Sequence, residues 1–177
     1  MKTKLKKISI LAICLSIAIA VVAMGVNSSI AAPLDPNDRT VNVGKQSNTY
    51  YEAVENIGFN PQTRTLDGVT SVKQTFGFIG FEFVSFWIDW NNNNYFETSE
   101  YAGTGIAYLP NPPAGTSSTA PIMYSISTQV NPPPGIPSGS VRKVRAILSW
   151  YTPPTGPTFN PVWGNILDKK IRFDPIR

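Results

Sequence analysis

Alternation governs this chain. Beyond residue 32 no stretch of helical length repeats its apolar residues every 3.6 positions, whereas a period of two recurs. In PIMYSISTQV, Ile122, Tyr124, Ile126, Thr128 and Val130 share one face, and Met123, Ser125, Ser127 and Gln129 the other. In VRKVRAILSW, Val144, Ala146, Leu148 and Trp150 line one side, and Lys143, Arg145, Ile147 and Ser149 the opposite one. FEFVSFWIDW is apolar on both faces and reads as a central strand covered on both sides. Weaker strands are expected over Arg39–Val43, Val69–Phe76, Tyr101–Leu109 and Asn165–Phe173. The runs NPPAG, NPPPGIPSG and TPPTGP separate these segments. Proline cannot donate to a sheet ladder or continue a helix, so these are connections. An all-β fold follows: a single antiparallel β-sandwich, Greek-key or jelly-roll-like, with about seven or eight strands. YYEAVENIG, residues 50–58, is the one place where a short helix is expected.

The N-terminus follows a different plan. KTKLKK is a positive region, residues 8–26 are apolar, and NSSIAA is small and polar. This is the three-part layout of a secretory signal peptide, with cleavage expected between Ala31 and Ala32. The apolar run is long enough to span a bilayer, so a retained anchor is the alternative. The expected organisation is a signal peptide over 1–31, a flexible arm or edge strand over 32–48, and a β-sandwich over 49–177, in a secreted or cell-surface protein with no stable membrane span after cleavage.

Export changes how the composition is read. The formal charge of +4 includes Lys2, Lys4, Lys6 and Lys7, all in the leader; the remaining 11 basic residues balance 11 acidic ones. A global basic excess, the electrostatic footprint of nucleic-acid binding, is missing. The chain has no histidine, and its one cysteine, Cys14, is in the leader. Histidine-based triads, histidine metal sites, thiolate chemistry and disulfides are thereby excluded from the mature chain. Arg142, Lys143, Arg145, Lys169, Lys170, Arg172 and Arg177 concentrate basic charge near the C-terminus. They could form a face for an anionic wall polymer, or a solvated sheet face with edge-protecting lysines.

One segment carries a chemical pattern. On the twelve-position calcium loop, DWNNNNYFETSE places Asp89 at position 1, Asn91 at 3, Asn93 at 5, the Tyr95 carbonyl at 7, Glu97 at 9 and Glu100 at 12. Calcium is a hard cation that takes several oxygens, which carboxylates, amides and carbonyls supply together. Asn94 occupies position 6, where glycine usually makes the sharp turn, and asparagine is among the side chains that best tolerate positive φ. The alternative is an Asn-rich turn between two strands.

FWIDWNNNNYFETSE resembles the corresponding segment of GEVED-type domains, extracellular β-sandwich modules of bacterial secreted proteins, although it lacks the glycine. Residues 50–172, through YEAVENIGFNPQTRTLDGVTSVKQTFGFIG, FEFVSFWIDWNNN, VRAILSW and PVWGNILDKKI, resemble a family of bacterial extracellular proteins with no established activity. The resemblance implies export and a β fold, and leaves function open.

Two further function classes are open to this sequence. Trp90, Trp150, Tyr151 and Trp163 sit at or beside loops, where indole and phenol rings can stack on sugars, so an extracellular glycan or cell-envelope polymer is a candidate partner. Such rings also plug the ends of a sandwich core. Glu52 with Glu55, or Glu97 with Glu100, could act as a carboxylate pair in glycoside hydrolysis. No Gly-rich phosphate loop and no G-x-S-x-G elbow accompanies them, so a non-enzymatic protein is expected. It would be a surface or matrix interaction module, with carbohydrate binding, or assembly by strand addition through Thr40–Val43, as alternatives.

Overall fold

The computed structural model describes residues 39–43, 51–74, 77, 79–115 and 120–174. The expected signal peptide and most of the expected arm lie outside them. The strands are β1 (Arg39–Val43), β2 (Glu52–Asn60), β3 (Thr65–Val72), β4 (Gly80–Ile88), β5 (Tyr101–Leu109), β6 (Ile122–Gln129), β7 (Ser140–Trp150) and β8 (Asn165–Phe173). They form a five-stranded sheet in the order β1-β8-β7-β4-β5 and a three-stranded sheet in the order β2-β3-β6. Every pairing is antiparallel. β6 returns beside β3, and β7 returns beside β4, each after two intervening strands, which is the Greek-key connection. Among the described residues no helix is long and apolar enough to cross a membrane.

The core lies between the sheets. Val54, Ile57, Phe59, Leu66, Ile126 and Val130 from the small sheet meet Val84, Phe86, Ile88, Val144, Ala146, Leu148, Leu167, Ile171 and Phe173 from the large one. Val144, Ala146 and Leu148 are the inward face that alternation assigns to β7, and Ile126 and Val130 keep the phase assigned to β6. β4 is covered on both sides, as its composition requires. Its outward Ser85 and Trp87 are buried, as are Ile147 and Ser149 on β7. The outer cover is the proline-rich connection 151–164. It docks through the Pro154 carbonyl, which accepts from Ser85 Oγ at 3.4 Å, and the Pro157 carbonyl, which accepts from the Arg145 guanidinium at 2.9 Å.

Residues 52–58 are strand, not helix. The β2–β3 register shifts between Val54 and Asn56. This bulge inserts one residue and turns the inward phase over, so Val54 and Ile57 both face the core at a spacing of three. That spacing imitates a helical period over one turn. β3 also starts and ends earlier than expected, at Thr65 and Val72.

Edges close differently on the two sides of the sandwich. Asn165 at the start of β8 treats β2 as a neighbouring strand would: its Oδ1 accepts from Val54 N–H at 2.7 Å and its Nδ2 donates to Val54 O at 3.1 Å. Lys169 Nζ donates to Asn56 Oδ1 at 2.7 Å and Ile57 O at 3.0 Å. On the other side β5 lies tightly over β6, where a Cβ on Gly105 would stand 2.7 Å from Ser127 O.

Candidate functional site

β4 ends at Ile88, and the next residue begins the loop of interest. Asp89 is fully buried, anchored by its own N–H to Lys143 O at 3.0 Å. Its carboxylate faces back into the loop: Oδ1 accepts from Asn93 N–H at 3.0 Å and Oδ2 from Asn94 N–H at 2.9 Å. Position 1 is thus bonded to the backbone of positions 5 and 6, which wraps the chain around it. Asn91 Oδ1 accepts from Asn93 N–H at 2.9 Å, and Asn93 Oδ1 from Tyr95 N–H at 2.8 Å. Each of these is the local turn that asparagine favours. Asn92 and Asn94 have φ of 59° and 68°, so position 6 does take the left-handed turn for which glycine is usual.

Glu100, the last position, is also buried. It returns to the loop entrance, accepting from Trp90 N–H at 2.8 Å and Asn91 N–H at 3.4 Å through Oε1, and from Glu97 N–H at 3.1 Å through Oε2. The single 3-10 turn among the described residues, Thr98–Glu100, is set by a capping box between Glu97 and Glu100. Glu97 is exposed; its Oε1 accepts from Asn93 Nδ2 at 3.0 Å and its Oε2 from Ser99 Oγ at 3.4 Å. Tyr95 is exposed as well.

The oxygen set that the sequence assigns is therefore brought into one loop, but its three carboxylates are not gathered at a point. Among the described residues no three Asp, Glu, His or Cys side chains form a group that could hold a metal. Asp89 and Glu100 turn inward, while Glu97 lies along the outside. An ion here would draw on amide and carbonyl oxygens besides carboxylates, a donor set that suits calcium. A carboxylate offers about four acceptor sites, so the backbone bonds leave lone pairs on Asp89 and Glu100. None of the three carboxylates has an ion-pair partner among the described residues; nearby, Arg145 pairs with Asp168.

The loop is fastened to the sandwich. Trp90 stacks on Phe173 at 5.0 Å between centroids, and its carbonyl accepts from Arg142 Nε at 3.2 Å. Arg145 lies over the Phe96 ring at 4.5 Å and grips Asp168 with two bonds of 2.7 Å.

Residues 83–170 match the GEVED domain. The GEVED-type segment runs from within β4 to within β8 and encloses the whole loop. It extends well beyond the short stretch whose motif resembles GEVED domains, and leaves β1 to β3 outside. No curated protein matches the chain.

The tentative ligand-binding rings do not form one group. Trp90 belongs to the 89–100 loop and is half-buried against Phe173. Trp150, Tyr151 and Trp163 lie at the opposite end, where β7 finishes and β8 starts. Trp150 meets Tyr151 edge-on at 4.9 Å, and Trp163 meets Tyr51 at 6.4 Å. Tyr151 is exposed and is held at φ 57°, its hydroxyl donating to Ile79 O at 2.9 Å. Phe81 and Tyr108 add two exposed rings on β4 and β5, 5.3 Å apart.

Part of the basic set is engaged in structure, and Arg177 lies outside the described residues. Arg142, Arg145 and Lys169 bind protein carbonyls, an amide and Asp168. Lys143 and Lys170 are cross-strand neighbours on β7 and β8.

The carboxylate pairs divide in an unexpected way. Glu55 accepts from Ser71 Oγ at 2.6 Å, whereas Glu52 turns inward to meet Glu82 of β4. Glu52 and Glu82 are both buried, and Glu52 Oε1 and both Glu82 oxygens receive no bond from any protein N–H or O–H. Burial, then the hydrogen bond and charge of Glu52, push Glu82 up to about 10. Burial raises Glu52 as well, partly offset by its bond to Glu82. The sequence holds a signal for this pair: Glu82 falls on the inward phase of β4, which Val84, Phe86 and Ile88 define.

Proposed function

We propose that this protein is an exported, non-enzymatic β-sandwich interaction module whose 89–100 loop binds a structural calcium ion through Asp89, Asn91, Asn93, the Tyr95 carbonyl, Glu97 and Glu100. The observation that carries the reading is Asp89. It is a fully buried carboxylate at the first loop position, bonded to backbone amides of positions 5 and 6 and facing no cation among the described residues. A second inward carboxylate in the same loop, Glu100, makes the calcium-free loop self-repelling, and a divalent cation relieves that.

The test is thermal unfolding of the purified protein in millimolar calcium and in EGTA, because extracellular sites often bind in the 10⁻⁴–10⁻³ M range. At calcium near 100 times Kd the native state gains about 2.7 kcal/mol. For a domain of this size Tm rises by roughly 5–10 °C. Asp89→Ala removes the shift, and magnesium, which prefers a smaller octahedral shell, gives little. Coincident curves in calcium and EGTA for wild type return the loop to a plain Asn-rich turn.

Carbohydrate binding is a second reading, favoured by the exposed rings of Tyr151, Phe81 and Tyr108 and by the constrained backbone of Tyr151. A glycan array separates it: binding lost in Tyr151→Ala but kept in Asp89→Ala locates it at the end of the sandwich away from the ion loop.

A further inference from the structure

The Glu52–Glu82 pair is not used by the loop. It joins the two sheets: Glu52 is the first residue of β2 in the small sheet, and Glu82 is the third of β4 in the large one. Glu82 is 0% and Glu52 3% exposed. The groups around Glu82 give it no cation. On its own sheet its cross-strand neighbours are Ala107 of β5 and Trp150 of β7. From the small sheet come Glu52 of β2 and Tyr124 of β6, and the Tyr124 hydroxyl donates its proton to Gln74 Oε1 at 2.8 Å. Two carboxyls that meet without a donor or a cation can hold each other only by sharing a proton.

We propose that Glu52 and Glu82 form a proton-held latch between the two sheets, and that losing the proton loosens this end of the sandwich. With one proton present, Glu82 donates to Glu52 and the pair is a hydrogen bond across the core. Once the proton is gone, two negative charges face each other in an apolar interior, and separation or hydration of this end relieves them. Burial supports the same direction for both groups, raising each above the ordinary carboxyl range.

The sign is set by linkage. The native state keeps the proton above the pH at which the unfolded chain has lost it, so stability falls as pH rises. The window from pH 6 to 9 suits the measurement, because the chain has no histidine and its one cysteine is Cys14 in the leader. Wild type is expected to lose on the order of 10 °C in Tm across that window, and Glu82→Gln, whose side chain carries no titrating proton, most of that dependence. Infrared spectroscopy of wild type at pH 7 should show the C=O stretch of a protonated carboxylic acid, absent in Glu82→Gln. Hydrogen exchange locates the opening. The Lys73 amide, bonded to Tyr51 O beside the latch, should lose protection at lower pH than the Asp89 amide, bonded to Lys143 O at the far end. Equal pH slopes in wild type and Glu82→Gln, no acid band at pH 7, or simultaneous loss of protection at both ends each overturn the proposal. The band and the exchange are read on wild type, so they decide the matter even where Glu82→Gln does not fold.

Discussion

The two ends of this sandwich each bury a pair of carboxyl groups, and they treat them in opposite ways. At one end Asp89 and Glu100 are surrounded by backbone N–H donors from positions 90, 91, 93, 94 and 97. At the other end Glu52 and Glu82 lie between the sheets, and Glu82 receives no protein donor at all. The cause is local geometry. A loop that turns through positive φ aims its amides inward, at whatever anion it encloses. A strand commits its amides to the ladder, so a carboxyl on the inward face of β4 meets only side chains. Burial alone therefore does not decide how a carboxyl is satisfied; the supply of donors does.

The largest effect that can break this contrast is the pH dependence of stability. Between pH 6 and 9 each proton retained only by the native state lowers unfolding free energy by about 1.4 kcal/mol per pH unit, about 4 kcal/mol in all. This contribution is complete below the ordinary carboxyl range and disappears as pH climbs toward 10. Urea unfolding at several pH values measures it, and Glu82→Leu, which replaces the acid by an apolar side chain, should be more stable than wild type at pH 9. Equal stability of the two at pH 9 would remove the contrast between the ends.

The loop end gives the next effect. Asp89→Ala should forfeit the calcium-linked stabilisation of about 2.7 kcal/mol, leave the Asn94 amide without its acceptor and leave the Asn93 amide only Asn91 Oδ1. Asp89→Asn keeps an oxygen for one of those amides while removing the charge. Calorimetric titration with calcium should therefore find Asp89→Asn binding more weakly than wild type, and Asp89→Ala not binding.

How much of this was legible before the fold follows from how local each feature is. β1, β5 and β8 have the bounds that alternation assigns, and β6 and β7 differ by a residue at most. The turns of the 89–100 loop were legible because the hydrogen bonds within it run between residues at most ten positions apart, from Trp90 to Glu100. β2 was misread because its bulge puts Val54 and Ile57 on one face. The Glu52–Glu82 contact was missed because it depends on which strands face each other across the core, and alternation within a strand carries no information about that. The inward phase of Glu82 was visible in the sequence; its partner was not. Nor was the outer cover of β4 visible: the proline-rich connection 151–164 has no apolar period of its own to announce it.

Asn165 provides an intermediate case, a buried polar side chain whose needs are met by backbone. Its amide is bonded on both sides to Val54, itself fully buried. Asn165→Ala leaves a donor and an acceptor of Val54 unpaired and is expected to lower stability by about 1–3 kcal/mol. Asn165→Asp keeps the acceptor, loses the donor and buries a charge, so it should be the worse of the two. Urea midpoints at pH 7 rank them. If the alanine variant equals wild type, water replaces the amide and the β2 edge is open to solvent.

The smallest effect concerns the turn itself. Asn94 takes φ 68° at the loop position where glycine is usual, and its backbone N–H, not its side chain, donates to Asp89 Oδ2 at 2.9 Å. Asn94→Gly keeps that bond. It relieves the left-handed conformation of a residue that tolerates it fairly well, and adds freedom to the unfolded chain, two terms of opposite sign and similar size. In EGTA the net change should stay within about 0.5 kcal/mol, or about 2 °C in Tm. The calcium-induced shift should be at least as large as in wild type, because the glycine turn brings positions 5 and 7 around the ion with no Cβ between them. Melting curves in EGTA and in millimolar calcium measure both quantities. A variant that kept its Tm in EGTA but lost its calcium shift would mean that the Asn94 side chain shapes the loop. The donor argument that separates the two ends would then fail at the position where it is most specific.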